Sequence, residues 1–315
     1  MHPHTPLHGI IPPVVTPLTP DYHVDEPGLR RVIRHLLDGG VHGLFLLGST
    51  SEVIFMDGPQ RRDVLRIATD EVAGRVPILA GVIDPTTDRV IAHARDAHAA
   101  GVNGLVVTAP FYTRTSQAEI IEHFRAVRQA VPLPIMAYDI PVCVHVKLER
   151  ATLRQMRRES LIDGLKDSSG DDTNFRLLAL ECHDDPNFRL FTGSELMVDT
   201  ALLLGAHGCV PGLANVDPAA YVRLYDAARR DDWREARRMQ ERLIRLFGIA
   251  LLGTPRTSPN ASGVGGFKTA LRRLGVITHH HMHRPNDPLN DEETRRIEAI
   301  LTAEGLLTHA QTIHP

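Results

Sequence analysis

The sequence predicts an α/β chain folded as a (β/α)8 TIM barrel with a C-terminal helical extension. Short β-branched apolar runs alternate with longer amphipathic stretches, and there are eight such runs. Strands that alternate with helices pair in parallel, and eight units are the number that closes a barrel. A doubly wound open sheet is the competing architecture, because the eighth run is short.

The runs fall at 9–15, 43–47, 77–82, 104–107, 134–138, 161–165, 188–191 and 208–210. Asp25-Glu26-Pro27 opens the first helix ahead of Leu29, Val32, Ile33 and Leu36 at helical spacing, and Gly39-Gly40 closes it. Similar stretches cover about 59–73, 87–100, 116–131, 148–158 and 172–182. The eighth unit ends near Arg229. Helices are then expected at 231–252, 265–274 and 290–303, too few for a core of their own. Residues 1–230 therefore read as the barrel and 231–315 as an extension packed on it, together one structural domain.

Composition narrows the function classes. The 315 residues are 43% hydrophobic and 23% charged, which suits a folded protein with a large core. A net charge of -3 leaves no basic excess for a nucleic-acid backbone. Cys143, Cys182 and Cys209 are odd in number and lack paired short spacing, so neither a disulfide framework nor a zinc site is expected, and a reduced, cytoplasmic setting follows. Met1 to Pro6 carry no apolar signal segment, and no apolar run approaches the length of a membrane span.

Of the 35 basic residues only Lys147, Lys166 and Lys268 are lysine. Arginine stays protonated at any workable pH and cannot replace lysine as an amine nucleophile. Lys166 follows an apolar run whose walls would desolvate an ammonium. Bringing an ordinary lysine from about 10.4 to about 7 takes about 4.6 kcal/mol of differential destabilisation, which a buried site supplies. A neutral amine attacks a ketone to form an imine, which accepts electrons when a neighbouring C–C bond breaks. The alternative is a lysine paired with Asp167 at a helix start.

Active sites of this fold lie where strands end and βα loops begin. Thr16, the 48–52 segment, Phe111-Tyr112, Tyr138, Lys166, the 193–195 segment and Pro211 all occupy such positions. Tyr138 ends the strand before that of Lys166, where its phenol could move protons or simply satisfy a buried group. Ser49 and Thr50, in a Gly-led turn running towards a helix, suit a small carboxylate or serve as a cap.

From Gly9 to about Leu307 the chain resembles the dihydrodipicolinate synthase and N-acetylneuraminate lyase family of pyruvate-dependent class I aldolases. Gly48-Ser49-Thr50-Ser51-Glu52 resembles the family's GxTGE turn, Tyr138-Asp139-Ile140-Pro141 its YN(I/V)P, and Gly164-Leu165-Lys166-Asp167 its G(I/L)K(D/E). The resemblance implies that Lys166 forms a Schiff base with a 2-oxo acid, Tyr138 carries protons, and Ser49 and Thr50 hold the carboxylate. It further implies that Tyr112 enters a neighbouring subunit's site and completes a relay with Ser49 and Tyr138. Val210 would pack near the pyruvate methyl, while Gly193, Ser194 and Glu195 would meet the rest of the substrate. Such chains are commonly homo-oligomers, dimers or tetramers, and need no cofactor or metal beyond the covalent imine.

Two departures shape the expected chemistry. Where dihydrodipicolinate synthases place an arginine for the second substrate's carboxylate, this chain has Cys143, which cannot imitate a bidentate guanidinium. Sialic acid lyases carry two adjacent acids after strand seven, whereas Leu196 follows Glu195 here. The expectation is thus a lyase that cleaves or forms a 2-keto-3-deoxy sugar acid or 4-hydroxy-2-oxo acid, with pyruvate and an aldehyde as small-molecule partners. The rivals are 4-hydroxy-tetrahydrodipicolinate synthase, an imine-forming dehydratase and a catalytically silent 2-oxo-acid sensor. Ser168 reads as a hydroxyl donor to substrate or a helix cap, Asp167 as structural, and Arg256 as an exposed loop residue or a partner for a distal carboxylate. The 279–283 histidine cluster is expected to lie away from the strand ends and bind metals adventitiously, with Lys147 solvated and Lys268 at the surface.

Overall fold

The computed structural model describes residues 7–308; the expectation for Met1 to Pro6 lies outside them. Eight parallel strands run in the order β1, β8, β7, β6, β5, β4, β3, β2. They are β1 Gly9–Ile10, β2 Leu44–Leu46, β3 Ile78–Gly81, β4 Gly104–Thr108, β5 Ile135–Asp139, β6 Gly164–Asp167, β7 Arg189–Thr192 and β8 Gly208–Cys209. The ring closes between its first two strands, where His42 N–H donates to Ile10 O, Phe45 N–H to Pro12 O, and Val14 N–H to Phe45 O. That closure rules out the doubly wound alternative. Pro12 and Pro13 lack donors, so the apolar run 9–15 yields only a two-residue ladder. Gly208 is required on the other side of β1: a Cβ there would lie 2.0 Å from Gly9 O.

The surrounding helices are α1 Glu26–Asp38, α2 Gly58–Val72, α3 Thr87–Ala99, α4 Gln117–Ala130, α5 Pro141–Val144, α6 Arg150–Arg158, α7 Asp172–Cys182, α8 Val198–Leu203 and α9 Pro218–Arg229. In α1, Asp25 accepts from Gly28 N–H at the start, and Leu29, Val32, Ile33 and Leu36 form the buried face. Capping boxes at Asp57 and Gln60 and at Ser116 and Glu119 start α2 and α4. Fully burying each such Leu or Ile contributes about 1.5–3 kcal/mol. Helix α8 has no counterpart in the expected pattern.

Beyond α9 lie α10 Trp233–Phe247, α11 Pro259–Arg273 and α12 Asp291–Ala303. The expected helix at 231–252 is shorter as α-helix, its end tightening into a 3-10 turn at Gly248–Leu251. Helix α11 begins six residues before its expected start, because Ser258 caps Ala261 N–H and Pro259 occupies the first turn. Its glycines serve packing: a Cβ on Gly266 would meet Ile249 O at 2.4 Å. No helix among the described residues is long and apolar enough to cross a membrane.

Candidate active site

The apolar run at 161–165 suggests a strand ending before Lys166, but β6 continues through Asp167 and carries Lys166 inside it. In the ladder Lys166 lies beside Tyr138 of β5 and Phe191 of β7. Side chains alternate along a strand, so Lys166 and Asp167 face opposite sides of the sheet. The lysine points inward. Its Nζ lies 4.0 Å from the Tyr138 ring centroid and 5.1 Å from that of Phe45 on β2, across the barrel. Phe45 and Tyr138 meet edge to face at 6.2 Å, and Lys166 and Tyr138 are both 4% exposed. The amine therefore rests on aromatic faces. The pairing with Asp167 that the sequence left open does not form: Asp167 instead accepts from Ser169 N–H at 2.8 Å.

The turn after β2 brings hydroxyls to the same end of the barrel. Leu47 takes a left-handed φ of 56°, and Gly48 crosses the Phe45 ring, where a Cβ would approach to 2.7 Å. A 3-10 turn, Ser49–Ser51, follows. Ser51, where the family motif has glycine, donates its hydroxyl to Val14 O at 2.6 Å and is buried. Ser49 and Thr50 stay half-buried at the turn's crest. Glu52 comes next, 1% exposed with φ 60°.

Two lysine expectations are overturned here. Lys268 is fully buried, not at the surface: its ammonium pairs with Glu52 and donates to His281 O at 2.9 Å. Val264, Lys268 and Leu271 share the buried face of α11 at helical spacing, and that spacing was the available signal. Burial alone would raise the Glu52 carboxyl, but Lys268 and the neighbouring His283 hold it below the ordinary carboxylate range. Lys147 is not freely solvated either. Its Nζ lies 2.7 Å from the carboxylate of Asp139, the residue after Tyr138. The histidine stretch also proves close to the strand ends, through its backbone: His283 N–H donates to Glu52 Oε1 at 2.8 Å. Among the described residues, no group of three or more His, Cys, Asp or Glu side chains is disposed to hold a metal ion.

The ends of β6, β7 and β8 form the other wall. A Cβ on Gly193 would lie 1.9 Å from Ser168 Oγ and 3.1 Å from Lys166 Cε, so this glycine leaves the space around the lysine stem. Ser168 does not cap α7; Asp171 does, accepting from Asn174 N–H. Ser194 is half-buried, its N–H donating to Thr192 Oγ1 at 3.0 Å. Glu195 turns one carboxylate oxygen to Leu213 N–H at 2.8 Å and the Tyr221 hydroxyl at 3.0 Å, so part of its capacity braces the turn after β8. Burial pushes that carboxyl above its ordinary range, against these donors and the Lys166 charge. Val210, 3% exposed, extends β8 and donates its N–H to Thr192 O.

One expected participant, Tyr112, stands apart from this cluster. Tyr112, in the turn after β4, is 91% exposed with φ 76°, outside its own chain's site. Cys143 lies on the exposed side of the short α5, beside Val142, which is 79% exposed. Arg256 is engaged in the extension, paired with Glu293 at 2.6 Å.

Comparison with known proteins identifies the family. Residues 6–304 match the family model described as the dihydrodipicolinate synthetase family. An uncharacterized DapA-like lyase of Halobacterium salinarum is 34% identical, over 96% of this chain and 95% of the relative. The probable 2-dehydro-3-deoxy-D-pentonate aldolase YjhH of Escherichia coli is 29% identical, over 95% and 98%. The crystal structure of the Escherichia coli prophage protein YagE in complex with pyruvate superposes with a TM-score of 0.90 at 30% identity, covering 96% of this chain and all of that one. With its whole barrel matched and its strand-end motifs in place, the chain belongs to the dihydrodipicolinate synthetase family.

Proposed function

We propose that this carbon–carbon lyase is a Schiff-base class I aldolase acting on a 2-keto-3-deoxy sugar acid or 4-hydroxy-2-oxo acid. The observation that carries the reading is the Lys166 amine, buried on the faces of Tyr138 and Phe45 inside the barrel. The amine adds to the keto carbon and water leaves, giving an iminium. The proton on the 4-hydroxyl departs, the C3–C4 pair flows into the iminium, and an aldehyde is released. Protonation of the enamine and hydrolysis then free pyruvate and restore the amine. Tyr138 carries the protons, Ser49 and Thr50 hold the carboxylate, and Val210 packs by the methyl. Ser168, Gly193, Ser194 and the remaining face of Glu195 receive the hydroxylated tail.

The relatives YjhH, named a probable 2-dehydro-3-deoxy-D-pentonate aldolase, and YagE, named a putative 2-dehydro-3-deoxy-D-gluconate aldolase, support the cleavage reading. Cys143, in place of a carboxylate-binding arginine, disfavours condensation with aspartate semialdehyde. The steps need no resident cofactor. The same reading makes the enzyme a homo-oligomer, in which Tyr112 of one copy completes another's site, with 231–315 belonging to the barrel's single domain.

Incubation with pyruvate and borohydride should add a reduced pyruvyl group to Lys166 and none to the Lys166→Arg variant. A wild-type chain that stays unlabelled would overturn the imine. A panel of keto-deoxy sugar acids, with aspartate semialdehyde included, identifies the aldehyde by its product and separates cleavage from dehydration.

A further inference from the structure

The Glu52 and Lys268 pair is absent from the chemistry above, yet it lies one residue beyond the turn that chemistry requires. We infer that Glu52 and Lys268 are positioning residues that fix the carboxylate-binding turn from the C-terminal extension. The inference rests on the proposed role of Ser49 and Thr50.

Both side chains are completely buried. Desolvating two charges is expensive, and a well-packed apolar pair in such a place is often as stable or more so, so stability alone accounts poorly for the ions. What an ion pair with hydrogen bonds supplies is direction. Glu52 is bound from two separate stretches of the extension: Lys268 on α11, and His283 N–H at Oε1, with His281 O accepting from Lys268 in turn. The residue so held has φ 60°, a conformation costing about 1–2 kcal/mol for a side chain with a Cβ, which persists only where its surroundings fix it. The flanks are fastened too. Ser51 Oγ donates to Val14 O, and the buried Arg61 guanidinium donates to Val53 O at 3.1 Å. These anchors surround the crest at Ser49 and Thr50 and leave it facing the lysine's end of the barrel. A turn pinned on one side by an element more than 200 residues away keeps its hydroxyls and N–H groups aimed without help from the substrate.

The test compares full-length wild type with Glu52→Gln, which keeps the acceptor for His283 N–H, and with the double variant Glu52→Gln, Lys268→Met, which removes both charges together. A control, Arg273→Met with Glu298→Gln, breaks an ion pair between α11 and α12 that does not reach the turn. Borohydride trapping is followed against pyruvate concentration, with thermal unfolding in parallel. Half-saturation should rise about tenfold in the double variant and about threefold in Glu52→Gln, with maximal trapping within about twofold of wild type. The control should lower the melting temperature and leave half-saturation unchanged. Folded variants with unchanged half-saturation would overturn the positioning role while leaving the imine intact. So would an equal rise in the control, or failure of both Glu52 variants to fold, which would place the pair in global stability. An unlabelled wild type would instead overturn the imine reading and the carboxylate assignment with it.

Discussion

At the scale of single residues, the site depends on what surrounds one amine. Gly193 illustrates this: its missing Cβ leaves Ser168 Oγ and the Lys166 stem where they are. Gly193→Ala should keep the fold yet lower kcat/KM about ten- to a hundredfold by displacing the lysine stem, and adding Ser168→Ala should recover part of the loss. Steady-state kinetics of the two variants checks it. Lys166 and Tyr138 were legible because both close apolar runs whose ends a barrel gathers onto one face. Phe45 was not. It is an ordinary apolar letter in strand two, and only closure of the ring brings it to the amine from the opposite side.

Among the elements, the turn after β2 and helix α11 behave as one unit. Glu52 has a folded-state pKa below its ordinary value, so its contribution is complete above the usual carboxylate range and disappears as pH falls through the lowered native value. Glu52→Gln removes that titration. Wild type should therefore exceed the variant in urea midpoint at neutral pH, with the gap narrowing as pH falls below the ordinary carboxylate range and through the lowered native value. Chemical unfolding from neutral to acidic pH is the measurement. Helix caps such as Asp25 and Ser116 were readable because their partners lie three residues away, whereas the Glu52 contact spans most of the chain. Lys268 misled for a related reason. Charge suggested a surface, while the apolar spacing of Val264 and Leu271 placed it inside.

For the whole molecule, strand count fixed the architecture, and the proline-rich first strand blurred its edge. Tyr112 stands almost fully in solvent at the mouth of β4, so an assembly that covers it should lose activity on dilution to monomers. Sedimentation velocity beside an activity titration tests this, and Tyr112→Phe should depress turnover without altering assembly. The three lysines add a practical consequence. One is sealed in an ion pair, one is tied to Asp139 with its side chain 31% exposed, and one lies inside the barrel, so the described surface offers amine reagents very little. Reagents that decorate lysine-rich proteins at many sites would find few lysines here, so a carbonyl compound attached to Lys166 would be reporting on the barrel's interior.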